Sequence, residues 1–185
     1  IDDHLMGTTH VTRGDEWLAS VPLHLQLFAA MGWEPPFFAH LAPIQKTEGG
    51  SRRKLSKRKD PEAGMSYYGE QGYPKAAVID YLLNLANSNF EDWRRENPRQ
   101  SYRDFRVTFE KLGSSGGALF DFVKLGNISR EIIAGYTAEQ VYGEALEWSQ
   151  KYDPELAVLL EKDADYAKNI LNIERENAQK PRKDI

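Results

Sequence analysis

The sequence predicts an α/β unit at the amino-terminal end followed by a mainly helical remainder, and three observations carry that expectation. Residues Thr8 to Arg13 set Val11 among polar neighbours, the alternation of a short strand. Trp17, Leu18, Val21, Leu25, Phe28 and Ala29 then recur at helical spacing up to Gly32, where a helix would stop. Beyond Pro35-Pro36, the run from Phe37 to Ile44 reads as a buried strand. Strand, helix and strand in succession form the unit of a parallel sheet. After Lys59 the character of the sequence becomes helical.

Each element has a local reason. The first strand delivers Arg13 and Gly14 to its carboxyl end, and Pro22 divides the next segment into a short turn and a longer helix beginning near Ser20. Pro61 to Gly72 reads as one short helix and Pro74 to Ala86 as the next, with Ala77, Val78, Tyr81, Leu82 and Leu85 as its apolar stripe and Asn87-Ser88-Asn89 as its end. Ser101 with Asp104 marks a helix start, and another helix opens near Asp121. Thr137 with Gln140 forms a capping box, Asp153-Pro154 caps the next helix, and Asp163 caps a last one that turns Tyr166, Ile170 and Leu171 inward.

Composition bounds the function. The chain has 185 residues, 41% hydrophobic and 28% charged, which allows one large or two small domains with a core. No apolar run approaches the roughly 20 residues needed to span a bilayer, and no signal peptide opens the chain, so a cytoplasmic location without a membrane partner is expected. Cysteine is absent, which fits a reducing compartment and leaves no cysteine zinc site. The four histidines, His4, His10, His24 and His40, lack ligand-like spacing, so no structural metal is expected. The net charge of −4 confines anion recognition to local patches.

The strongest such patch is Ser51 to Lys59, in which six of nine side chains are cationic, directly after the turn signal Glu48-Gly49-Gly50. Composition alone leaves it open between a mobile polyphosphate clamp and a solvated basic loop. In a parallel sheet ligands gather beyond the carboxyl ends of the strands, which places Arg13 and the basic loop on one rim. From Glu91 to Arg106, five arginines alternate with Trp93, Tyr102 and Phe105, but acidic residues are mixed in, so nucleic-acid contact and an ion-paired surface both remain open. Gly113 to Gly117 reads as a flexible loop and carries no phosphate-loop pattern.

Four blocks, in order, resemble the class I aminoacyl-tRNA synthetases, and within them the bacterial-type glutamyl-tRNA synthetases. They are residues Asp2 to Trp17, Gly32 to Pro36, the lysine signature Lys54-Leu55-Ser56-Lys57-Arg58, and Gly116 to Asp121 with Lys124-Leu125. The resemblance implies the carboxyl-terminal half of a Rossmann-type catalytic domain over residues 1–60, a stem-contact region over 61–135, and the start of a helical anticodon-binding domain over 136–185. It implies ATP-dependent activation of glutamate and transfer to tRNA(Glu), with magnesium carried on the ATP phosphates, by a monomer. Lys54 and Lys57 are the implied catalytic cations, Leu55, Ser56, Arg58 and Trp17 complete the ATP contacts, and Arg13 reads the glutamate side chain. His4-Leu5-Met6-Gly7 only echoes the other class signature, since no second histidine follows. That signature is missing, and Ile1-Asp2-Asp3-His4-Leu5 has the character of a sequence interior. An internal fragment lacking the first half of the catalytic domain is therefore expected, inactive by itself. A non-catalytic tRNA-binding module, a shortened tRNA-modifying relative and a glutaminyl paralogue are the alternatives.

Overall fold

The computed structural model describes residues 1–108, 111–112 and 117–175. It is a mixed α/β structure whose contacts divide it into two units, one of Ile1–Leu55, Leu83–Pro98 and Arg103–Phe120, the other of Ser56–Leu82, Arg99–Tyr102 and the chain from Asp121 onward.

In the first unit a one-turn helix α1 (Asp2–Leu5) precedes strand β1 (His10–Gly14). The chain then makes a 3₁₀ helix at Asp15–Ser20, runs through helix α2 (Val21–Ala30), and returns as β2 (Phe37–Leu41), parallel to β1 with His10 opposite Phe37 and Arg13 opposite His40. This is the expected strand, helix and strand. Pro22 sits in the first turn of α2, where amides have no helical acceptor anyway. Gly32 ends the helix at φ +70°, a left-handed turn that lets the Trp33 amide donate to Phe28 O at 2.9 Å. The indole of Trp33 then packs edge-on against Phe28 and stacks on His4, with ring centroids 4.1 Å apart. Among the apolar residues predicted for one face of this segment, Phe28 is buried, whereas Trp17, Leu18 and Leu25 are exposed.

The predicted strand Phe37 to Ile44 is two strands. β2 stops at Leu41, and Ile44 opens β3 (Ile44–Glu48), which pairs with different partners. Pro43 between them has no amide to offer a ladder. β3 turns through Gly49 and Gly50, at φ +57° and +82°, into the antiparallel β4 (Ser51–Lys54). Positive φ at both positions is what a two-residue type I′ hairpin requires. The first four residues of the basic run are therefore ladder-bonded strand, and the expectation of a loop throughout is corrected.

The rest of the unit closes on β3 and on an aromatic cluster. β5 (Ala118–Leu119) runs parallel to β3, and the Phe120 amide donates to Gln45 O at 2.7 Å. In helix α5 (Phe90–Glu96), Phe90 is fully buried against Trp93 and Phe105. Arg94 lies over both the Phe90 and Trp93 rings and donates to Asn97 O at 3.1 Å, and Arg95 pairs with Asp92 at 3.1 Å. These arginines thus have packing and ion-pair partners of their own. The helix expected from Ser101 is a single 3₁₀ turn, Tyr102–Asp104, and the predicted loop Gly113 to Gly117 lies, apart from Gly117, outside the described residues.

The second unit is helical. Pro61 to Gly72 is broken by Gly64 into a 3₁₀ turn (Pro61–Ala63) and helix α3 (Met65–Glu70), and the Tyr68 hydroxyl ties them by donating to Glu62 O at 2.6 Å. Helix α4 (Lys75–Ala86), which belongs to this unit as far as Leu82, buries Ala77, Val78 and Tyr81. Helix α6 (Phe122–Ala134) is capped by Asp121, whose carboxylate accepts from the Val123 and Lys124 amides. Helices α7 (Ala138–Tyr152), α8 (Pro154–Lys162) and α9 (Ala164–Asn172) open on the predicted caps Thr137, Asp153 and Asp163, and Gln140 completes the capping box. The inward face of α9 differs from expectation, since Tyr166 and Ile170 are exposed. Ala164, Ala167, Lys168 and Leu171 are the more covered positions, and Lys168 lies over the Tyr142 ring while pairing with Glu139 at 2.7 Å. Small alanines permit the close helix approach that an aromatic would prevent.

Candidate functional site

Arg13 is the first predicted site residue to place. It lies near the carboxyl end of β1, and the parallel register sets His40 directly beside it on β2. Its Nε donates to His40 Nε2 at 3.1 Å, and its Nη1 donates to His24 Nδ1, on α2, at 3.0 Å. An arginine can only donate, so both imidazole nitrogens are acceptors here. The guanidinium carbon lies 4.7 Å from the Phe38 ring centroid and 5.8 Å from that of Trp17. Nη2 is buried and has no hydrogen-bond partner among the described residues. The neighbouring carboxylate of Glu16 is engaged elsewhere, with Lys54 Nζ at 2.8 Å.

A buried donor without an acceptor is costly, by about 1–3 kcal/mol, and native structures keep few of them. Two imidazole rings and two aromatic faces thus hold this half-buried guanidinium without supplying a counter-charge. His40 also lines a cavity of about 450 Å³ with His10, Phe37, Phe38, Ala39 and Leu112.

The lysine signature is divided between the two units. Lys54 ends β4, and Leu55 closes the first unit with its amide donating to Ile44 O at 2.9 Å. Both partners of the Lys54–Glu16 pair are half exposed or more, and the Lys54 ammonium, ahead of Glu16's own amide, holds the Glu16 carboxyl below the usual carboxylate range. Ser56 opens the second unit. Its amide donates to the Asp60 carboxylate at 2.9 Å, while its carbonyl accepts from the Lys59 and Asp60 amides at 3.0 and 2.8 Å. Asp60 is 2% exposed, whereas Lys57, Arg58 and Lys59 are exposed on the turn that it closes. A buried carboxylate thus pins a turn from which the cations project.

His24, His40, Glu16 and Asp60 do not stand out as functional in the sequence. The one usable signal is the register of the predicted parallel pair, which sets a residue near the middle of the second strand beside Arg13.

Comparison with known proteins supports the resemblance. Residues 1–105 match the family model of tRNA synthetases class I (E and Q), catalytic domain. The whole chain is 52% identical over 185 residues to a glutamate–tRNA ligase of Clostridium beijerinckii, of which it spans 33%. Over 95% of its length it is 50% identical to a glutamate–tRNA ligase of Sorangium cellulosum, again over 33% of that protein. A crystal structure of the glutamate-tRNA synthetase from Elizabethkingia anophelis superposes with a TM-score of 0.66 at 29% identity, covering 96% of this chain and 37% of that one. A glutamate tRNA ligase from Elizabethkingia meningosepticum, solved in complex with its amino acid, gives 0.64 at 28%, over 96% of this chain and 36% of that one. The chain thus spans about a third of the length of these relatives. With more than half of its residues under the family model, and the strand, helix and strand in place, the chain belongs to the class I tRNA synthetases (E and Q), in their catalytic domain.

Proposed function

We propose that this chain is part of a glutamate–tRNA ligase, in which Arg13 reads the side-chain carboxylate of glutamate. The observation that carries this reading is the buried, unpartnered Nη2 of a guanidinium that no carboxylate of the chain neutralises among the described residues. A guanidinium grips a carboxylate through two parallel N–H bonds, which a neutral glutamine amide cannot match. Nη2 is buried here, so a carboxylate reaches it only with a local rearrangement beside the Phe38 and Trp17 rings that flank the guanidinium.

The reaction joins the glutamate α-carboxylate to the α-phosphate of ATP, releasing pyrophosphate, and then passes the acyl group to tRNA(Glu). Charge gathers on the departing phosphates, and preorganised cations lower that barrier. In this reading Lys54 and Lys57 supply them, Leu55, Ser56 and Arg58 shape the segment, and Trp17 contributes to the nucleotide site. A phosphate at Lys54 competes with Glu16 for the ammonium, so the ion pair yields as the nucleotide arrives. Among the described residues no three His, Asp or Glu side chains converge as a ligand set. Magnesium would enter on the ATP phosphates.

The same reading divides the chain into residues 1–60 of a Rossmann-type catalytic domain, a stem-contact region over 61–135 and the opening of a helical anticodon-binding domain over 136–185, acting as a cytoplasmic monomer. Glutamate-dependent ATP–pyrophosphate exchange by the full-length gene product tests it. Activity is expected with glutamate, and Lys57→Ala should lower the exchange rate far more than tRNA affinity. Absence of exchange with glutamate, or an alanine variant impaired only in tRNA binding, would remove the reading.

A further inference from the structure

We infer that His24 and His40 are positioning residues that select which edge of the Arg13 guanidinium meets a carboxylate. The inference rests on the role proposed for Arg13. A guanidinium offers two edges to a bidentate carboxylate, Nε with Nη2 or Nη1 with Nη2. His40 Nε2 takes the Nε hydrogen at 3.1 Å, which closes the first edge. His24 Nδ1 takes one of the two Nη1 hydrogens at 3.0 Å, and Nη2 keeps both of its own. If His24 takes the Nη1 hydrogen that faces Cδ, the Nη1–Nη2 edge is the one left with a parallel pair of donors. The two rings come from different elements, His24 from α2 and His40 from β2, so the guanidinium plane is fixed from two directions.

The geometry also dictates proton positions. With Nε2 accepting, the neutral His40 ring must carry its proton on Nδ1, the less common form of imidazole in water. With Nδ1 accepting, His24 must carry its proton on Nε2. A second proton on either ring would replace an acceptor by a donor and oppose cation to cation.

The test uses the full-length gene product in two arms. Magic-angle-spinning NMR of protein labelled with ¹³C,¹⁵N-histidine reads the tautomer of each ring, and His40→Gln assigns its signal by subtraction. An Nδ1–H ring at His40 that converts to Nε2–H in Arg13→Met is expected. An Nε2–H or doubly protonated His40, or a tautomer indifferent to Arg13→Met, overturns the inference. The kinetic arm measures KM for glutamate and for ATP in pyrophosphate exchange. His40→Ala and His24→Ala should raise KM for glutamate by about tenfold or more, the scale of one charge-assisted hydrogen bond, while KM for ATP stays put. His40→Gln and His24→Asn replace the accepting nitrogen by an amide oxygen at nearly the same place and should recover most of the loss. Equal losses in the alanine and amide variants would overturn the positioning role. If no glutamate-dependent exchange occurs at all, the reading of Arg13 fails, while the tautomer arm still decides the geometry.

Discussion

Arg13→Met separates a ligand-reading arginine from a structural one. Methionine keeps much of the side-chain volume against Phe38 and Trp17 but removes the charge. It gives up two hydrogen bonds to His40 and His24, each about 1.5 kcal/mol with a charged donor, and cation–π contact of about 0.5–1 kcal/mol. In return it removes a buried donor that has no acceptor, which costs about 1–3 kcal/mol, together with the desolvation of a half-buried charge. The losses of about 3.5–4 kcal/mol are largely offset by these gains, so folding stability should change by no more than about 3 kcal/mol. Binding has no such compensation. Two charge-assisted bonds to a carboxylate amount to about 3–5 kcal/mol, a fall of about 10²- to 10⁴-fold in kcat/KM for glutamate. Urea unfolding and pyrophosphate exchange on the same preparations measure the two effects. A variant destabilised by more than about 3 kcal/mol with kcat/KM little changed would show that Arg13 is a structural crosslink whose orphaned nitrogen awaits no ligand.

The helical unit offers two stability predictions. The Tyr81 hydroxyl, on a fully buried ring, accepts the Asp121 amide at 2.6 Å at the start of α6, so Tyr81→Phe leaves that amide without its acceptor and should cost about 1–3 kcal/mol in a denaturant titration. A loss below the uncertainty of the titration would mean that water reaches the amide. Glu144 is exposed as a residue, yet partial desolvation of its carboxyl, opposed by a hydrogen bond from Tyr136 and reinforced by Glu147, raises its pKa. A carboxyl whose folded pKa lies above its unfolded value gives stability that is complete below the unfolded value and is lost as pH rises through the folded one. Glu144→Gln should therefore match the parent protein near pH 4 and melt higher at pH 7, whereas a constant difference across that range would contradict the burial argument.

What was legible in the sequence is what depends on neighbours in the chain. Thr137 with Gln140, Asp153 with Pro154, Asp163 and Asp121 each satisfy amides two or three residues away, and each stands where the sequence put it. The failures involve partners that the local pattern does not name. Phe37 to Ile44 has the composition of one strand, yet the chain changes sheets at Ala42-Pro43, because Ile44 pairs with Ala118 and Leu41 with Gly14. The charge of the basic run suggests a loop, although Gly49-Gly50 between two short polar segments is also a hairpin signal. In α9 the pattern gave the helix but set its buried face about one residue off, since the choice between Tyr166 and Ala167 depends on how near α7 can come.

The candidate site divides along the same line. The position of Arg13 near the carboxyl end of a strand could be read from sequence. What makes its geometry specific could not, because His24 stands 11 residues away and His40 27, and only the parallel register and the crossover helix bring them to the guanidinium. Charge counting would have missed them in any case, since two neutral rings add nothing to a net charge yet decide which hydrogens remain for a ligand. The lysine turn shows the converse. Its cations are obvious in the sequence, but the residue that shapes it is Asp60, an anion that composition treats as a cancelling charge and that the fold buries to accept the Ser56 amide. Replacing Asp60 by Asn would keep the acceptor and lose the charge, so a turn held by hydrogen bonding would survive it, and one held by attraction to the surrounding cations would not.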